Sequence, residues 1–168
     1  MRIGILTVSD RSARGARPDT SGPLIADIVA SRLNGATVVR RHILPDEQDA
    51  IRQTLTEWSD RDDLDVILTT GGTGFAPRDV TPEATRAVID REAPGIAEAL
   101  RAASLQKTPH AMLSRGVCGL RGRTLIVNLP GSPTAVREHL EVLLPVLPHA
   151  VQLLRQDPAA EEGHTFPS

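Results

Sequence analysis

Four short apolar runs constrain this chain most: Arg2–Val8, Thr37–Ile43, Asp65–Thr70 and Arg123–Leu129. Each is rich in Val, Ile, Leu or Thr, and short runs of that kind read as buried strands. Helical spacing fills the gaps between them. Leu24, Ile25, Ile28, Val29 and Leu33 form one stripe, and Gly35 supplies its stop. Ile51, Leu55 and Trp58 form a second, with Asp46 as the expected N-cap. Thr81-Pro82 starts a third helix, with Thr81 as N-cap and Pro82 in the first helical position. Pro94–Leu105 reads as a fourth, with Ile96 and Leu100 turned inward. A last helix runs from about Ser132 to Leu154, and Pro145 and Pro148 should bend or split it. Ser9–Thr20 reads as a loop, as does Thr108–Gly122 with its Gly116, Gly119 and Gly122. Strands alternating with helices predict an α/β fold: a three-layer α/β/α domain with a mostly parallel sheet.

The 168 residues predict one domain over 1–156, with a polar, frayed tail at 157–168. A net charge of -2 gives no bulk attraction to nucleic acid, and 2% aromatics leave little for base stacking. No apolar run approaches the ~20 residues of a membrane span. The opening residues carry no signal-peptide pattern, so cytoplasm is the expected location. Cys118 is the single cysteine and reads as a small buried apolar residue. The spacing of His42, His110, His139, His149 and His164 suggests no zinc site.

The richest segment is T-T-G-G-T-G-F-A-P-R-D-V-T-P, Thr69–Pro82, at the carboxyl end of the third run. Open α/β sheets bind ligands at such ends. Gly71, Gly72 and Gly74 let backbone amides approach an anion closely, and Thr70 and Thr73 add hydroxyls. The lysine of a Walker A loop is absent, and Pro77 stands where a dinucleotide fingerprint needs its third glycine. Asp79 is suited to Mg2+, which takes one or two carboxylates plus phosphate oxygens. In a parallel sheet, Asp46 leaves the same edge and could share that metal. Ser9 and Asp10 end the first strand on this edge. Pro130, Gly131 and Ser132 end the fourth, with Ser132 placed to cap the last helix or to help bind a phosphate. Arg115 reads as a solvated surface arginine, with a phosphate contact as its alternative.

Together these segments resemble the molybdopterin adenylyltransferase (Mog/MoaB) family of molybdenum cofactor biosynthesis. The resemblance rests on G-I-L-T-V-S-D-R at Gly4–Arg11, I-L-P-D-E-Q at Ile43–Gln48, the Thr69–Pro82 run, and S-R-G…L-I-V-N-L-P-G-S-P between Ser114 and Pro133. It implies a three-layer α/β domain, a homotrimer or dimer of trimers, and transfer of AMP from ATP to the terminal phosphate of molybdopterin. It further implies Mg2+ held by Asp46 and Asp79 as the catalytic pair. Thr70, Gly71, Gly72, Thr73 and Gly74, with Pro130, Gly131 and Ser132, would hold the pterin substrate and its phosphate. Ser9, Asp10 and Ser114 would line the same pocket. The alternatives are a non-catalytic molybdopterin-binding paralogue, a trimeric scaffold, and a nucleotide-phosphate hydrolase of the competence-damage type.

Overall fold

A computed structural model describes residues 1–158 and 160. Most of the expected tail lies outside the described residues. The first half comprises β1 (Arg2–Val8), α1 (Asp10–Ala13), α2 (Ser21–Arg32), β2 (Thr37–Leu44), α3 (Gln48–Asp60) and β3 (Val66–Thr70). The second half comprises α4 (Thr81–Arg86), β4 (Arg91–Glu92), α5 (Pro94–Leu105), a 3-10 turn (Pro109–Leu113), β5 (Cys118–Arg121), β6 (Thr124–Leu129), α6 (Pro133–Leu143) and α7 (Leu147–Leu154). Among the described residues the strands form one sheet in the order β2-β1-β3-β6-β5-β4. The first four run parallel, and β5 and β4 pair antiparallel at one edge.

Alternation along the strands makes the three layers. Ile3 and Ile5 of β1, Val66 and Leu68 of β3, and Leu125, Val127 and Leu129 of β6 face a core that includes Ile25, Leu100 and Leu140. Leu6, Val8, Ile67 and Ile126 face the opposite core, with Ile51, Leu55 and Trp58 of α3. Gly4 falls on this second face, where a Cβ would lie 2.6 Å from Leu64 and 2.8 Å from Trp58. The sheet is therefore covered on both sides, as expected for a parallel sheet of near-continuous apolar strands.

Four details differ from the sequence reading. The segment read as a loop at 108–122 contains β5, joined to β6 by a tight turn in which Gly122 takes φ 53°. The segment read as a loop at Ser9–Thr20 contains α1, whereas the terminal helix splits as its prolines predict, α6 ending at Leu143 and α7 starting at Leu147 with Pro148 in its first turn. Asp46 does not cap α3; Glu47 holds that position and Asp46 turns to the loop after β1. Thr81 is the first residue of α4 rather than its cap, and its hydroxyl donates to the Gly71 carbonyl at 3.0 Å.

Candidate active site at the carboxyl edge of the sheet

The chain leaves β1 for β2 on one side and reaches β3 on the other, so a topological switch point falls between β1 and β3. Register places Thr7 beside Thr70, and Thr70 beside Leu129. The loops after β1, β3 and β6 thus emerge side by side. They pack almost backbone to backbone. Gly71 has φ 96°, and a Cβ there would lie 2.2 Å from the Val8 carbonyl oxygen. Gly131 approaches closely as well, with its would-be Cβ 3.3 Å from Gly71 Cα.

Side chains lock this arrangement. Thr70 Oγ1 donates to the Pro130 carbonyl at 2.7 Å, and Ser21 Oγ donates to the Gly131 carbonyl at 2.9 Å. Asp19 accepts from Thr7 Oγ1 at 2.8 Å and from the amides of Ser21 and Gly22 at 3.1 and 2.9 Å. It caps α2, although Thr20 holds the nominal cap position. Behind the loop, Asn128 Nδ2 donates to the hydroxyls of Thr69 and Thr85, and Asn128 Oδ1 accepts from the Val117 amide.

A cleft of about 450 Å³ opens between these loops. Ser9, Asp46, Thr70, Gly71, Gly72, Asp79, Gly131 and Ser132 line it, so eight expected residues come together. Ser12, Arg17, Asp19, Thr20 and Ser21 also line it and were not foreseen. Their signal was D-T-S-G at 19–22, a helix-capping pattern inside a stretch read only as loop. Asp10 sits at the rim, where its carboxylate takes a fork of hydrogen bonds from Arg78 at 3.0 and 2.9 Å. That guanidinium, outweighing slight burial, holds the Asp10 carboxyl below its ordinary value. Asp10 and Asp46 also accept each other's backbone amides, at 3.1 and 2.7 Å.

The two expected acids flank the glycine loop. A Cβ on Gly72 would come 3.1 Å from Asp46 Oδ1, and one on Gly74 would come 2.9 Å from Asp79 Oδ2. The carboxylates occupy space that a side chain would otherwise take. Burial pushes the Asp46 carboxyl above its ordinary value; the Asp10 amide opposes this, and the Asp10 and Asp79 charges add to it. Asp46 is therefore a carboxylate whose charge burial penalises and which the Asp10 amide and the Arg78 charge only partly offset. One oxygen of each acid is engaged, Asp46 Oδ2 by the Asp10 amide and Asp79 Oδ2 by the Ala76 amide at 2.9 Å. The other oxygens make no hydrogen bond among the described residues. Those residues hold no cluster of three metal-ligating side chains. Two hard oxygen donors beside an anion-friendly loop fit Mg2+, which completes its shell with phosphate oxygens and water.

The remaining expected residues lie in a neighbouring cavity of about 380 Å³, lined by Thr73, Gly74, Ser114, Pro130 and Ser132. Ser114 thus lines a different wall from Ser9, and Ser132 is common to both spaces. Ser132 sits at the N-cap position of α6 without a side-chain capping bond, so its hydroxyl is not committed to the helix. Arg115 is not a solvated arginine: its guanidinium donates to Gly74 O at 2.7 Å, to Asp79 O at 2.5 Å and to the Glu83 carboxylate. Cys118 is 2% exposed, and burial pushes its thiol up to about 12, which rules it out as a nucleophile near neutral pH.

His139 on α6 lines the second cavity, with Nε2 2.9 Å from Ser104 Oγ and Nδ1 buried without a hydrogen-bond partner among the described residues. Burial, and then the charge of Arg101, lowers its pKa to about 4. The unfolded chain binds the proton near 6.5, so this contribution is complete above pH 6.5 and is lost as pH falls toward 4. Between pH 7.5 and 5 the loss is about 2 kcal/mol. Urea unfolding at both pH values should show it, and His139→Asn should flatten the difference. An unchanged slope in the variant would refute the assignment.

An open sheet covered on both faces, with a glycine-lined and acid-flanked cleft at its switch point, defines an α/β domain that binds ligands at its strand ends. The chain belongs to the family described as "Probable molybdopterin binding domain", whose model matches residues 4–149. It is 48% identical to the molybdenum cofactor synthesis protein cinnamon of Drosophila melanogaster over 92% of this chain and 26% of that protein. It thus spans about a quarter of that relative's length. It is 41% identical to the molybdopterin adenylyltransferase of Helicobacter pylori, over 92% of this chain and 88% of the other. Among solved structures, the molybdopterin biosynthesis enzyme MoaB of Thermus thermophilus superposes with a TM-score of 0.87 at 55% identity, covering 94% of this chain and 98% of that one.

Proposed function

We propose that this chain transfers AMP from ATP to the terminal phosphate of molybdopterin and releases pyrophosphate. The observation that carries this reading is the placement of Asp46 and Asp79 in one cleft, each against a glycine of the loop, Gly72 and Gly74. The Helicobacter relative, which bears that activity in its name and aligns along nearly its whole length, supports it.

The reaction asks little covalent work of the protein. A phosphate oxygen of molybdopterin attacks the α-phosphorus of ATP, the bond from that phosphorus to the bridging oxygen breaks, and pyrophosphate leaves. The nucleophile is already ionised at neutral pH, so no general base is required. The chain must bring two anions together in line. Asp46 and Asp79 would hold the metal. When bound, Mg2+ supplies neutralisation of the charge that collects on the leaving pyrophosphate. The amides of Gly72, Thr73 and Gly74 and the Ser132 hydroxyl hold phosphate oxygens, the Gly71 amide being taken by the Leu129 carbonyl. Arg78, once it exchanges Asp10 for phosphate, adds positive charge on the attacking side. A cytoplasmic location and a homotrimer belong to the same reading. No helix among the described residues is long and apolar enough to cross a membrane.

The test is pyrophosphate release from ATP with and without molybdopterin and Mg2+. Release that needs both is the expected result. Tight molybdopterin binding without release would favour a non-catalytic paralogue instead.

A further inference from the structure

We propose that Arg115 is the positioning residue for Asp79, holding the acid-bearing turn in its working place before substrate arrives. The proposal rests on the function above, for which it names an additional residue. The loop from Thr73 to Val80, which leads into α4 and Glu83, carries Asp79, and its middle, Phe75–Arg78, is exposed. Asp79 is tied locally to Ala76 through both its amide and its carboxylate. Those bonds shape the turn without fixing it to the domain. Arg78 reaches Asp10 only through exposed side chains, a weak tether.

Arg115 supplies the anchor. Its backbone amide donates to the Thr73 carbonyl at 2.9 Å, and its guanidinium reaches Gly74 O, Asp79 O and Glu83. One side chain thus clasps both ends of the loop. The residues around Arg115 are themselves fixed. Arg101 donates to the carbonyls of Ser114 and Gly116 at 3.0 and 3.4 Å, and Val117 is tied to Asn128 of β6. Burial pushes Glu83 up, but Arg115 beside it holds that carboxyl below its ordinary value. Glu83 therefore stays ionised and keeps the guanidinium neutralised, so Arg115 works by geometry and not as a free cation for phosphate. Three acceptors in three directions need a planar fork, which a lysine ammonium cannot reproduce.

The test compares wild type, Arg115→Lys, Asp79→Asn and the double variant. In adenylylation assays Arg115→Lys should lower kcat by about 10- to 100-fold, with the KM for molybdopterin changed less than about threefold. If Arg115 acts through Asp79, the double variant is no slower than Asp79→Asn alone within about twofold, because residues acting as a unit are not additive. Multiplying losses would overturn the proposal. Amide hydrogen exchange of the ligand-free protein is an independent reading: residues 73–80 should exchange faster in Arg115→Lys, while α6 is unchanged. Unchanged exchange in 73–80 would also overturn it. If wild type shows no adenylylation, the proposed function falls, and the exchange result alone decides the role of Arg115. Should Arg115→Lys not fold, Glu83→Gln frees the guanidinium from one partner and should show the same pattern more weakly. Arg121→Lys, whose bonds to Asp60 and Val88 O lie outside both cavities, should leave kcat unchanged.

Discussion

Gly71→Ala is expected to cost about 4 kcal/mol in urea unfolding, larger than any other single glycine replacement at the cleft. Two effects add. The residue has φ 96°, a region that costs a non-glycine residue on the order of 1–3 kcal/mol. Its new Cβ would also meet the Val8 carbonyl oxygen at 2.2 Å, and that oxygen belongs to a strand that cannot withdraw. Overpacking of this kind adds about 1–3 kcal/mol more. The relief available is to push the β3 loop away from β1, which breaks the Thr81 hydroxyl bond to Gly71 O and opens the cleft. Activity should therefore fall together with stability. Gly95→Ala is the contrasting control: it lies in α5 with nothing within 4 Å of the new Cβ, and alanine there should be neutral or stabilising. Equal stability of the two variants would contradict the packing described for the loops.

Asp79→Asn should act on chemistry and leave the fold intact. Asparagine keeps the size and can still accept from the Ala76 amide, so the turn survives. What it loses is the anionic oxygen proposed to hold the metal. Turnover is expected to drop by a factor on the order of 10²–10³, as for removal of one electrostatic stabiliser, with the molybdopterin KM little changed. Steady-state kinetics at saturating Mg2+ measures both. Turnover at the wild-type level would remove Asp79 from the catalytic pair.

The layers and the parallel sheet were legible because four apolar runs alternate with helical stripes, a pattern that a covered parallel sheet satisfies. The antiparallel edge was not. β4 is two residues long, and β5 carries Gly119, which read as a loop signal. In the fold that glycine is needed because Ile89 and the Arg91 carbonyl would lie 2.5 and 2.9 Å from a Cβ there. The glycine loop and its acids were legible because their residue types are costly to place without a ligand. Asp46 was read as a cap because its reciprocal bonds with Asp10 cross 36 residues of sequence. Arg115 and Asp19 were missed for the same reason. Each looks like an ordinary polar loop residue until tertiary structure brings its acceptors or donors together.

The most direct test of the central claim follows the α-phosphate. Wild-type protein is given ATP labelled at that phosphorus, together with molybdopterin and Mg2+, and the products are separated and weighed. The account requires the label in an AMP–molybdopterin adduct and unlabelled pyrophosphate in equal amount. Label recovered only in ATP, or released as free AMP without adduct, would contradict it.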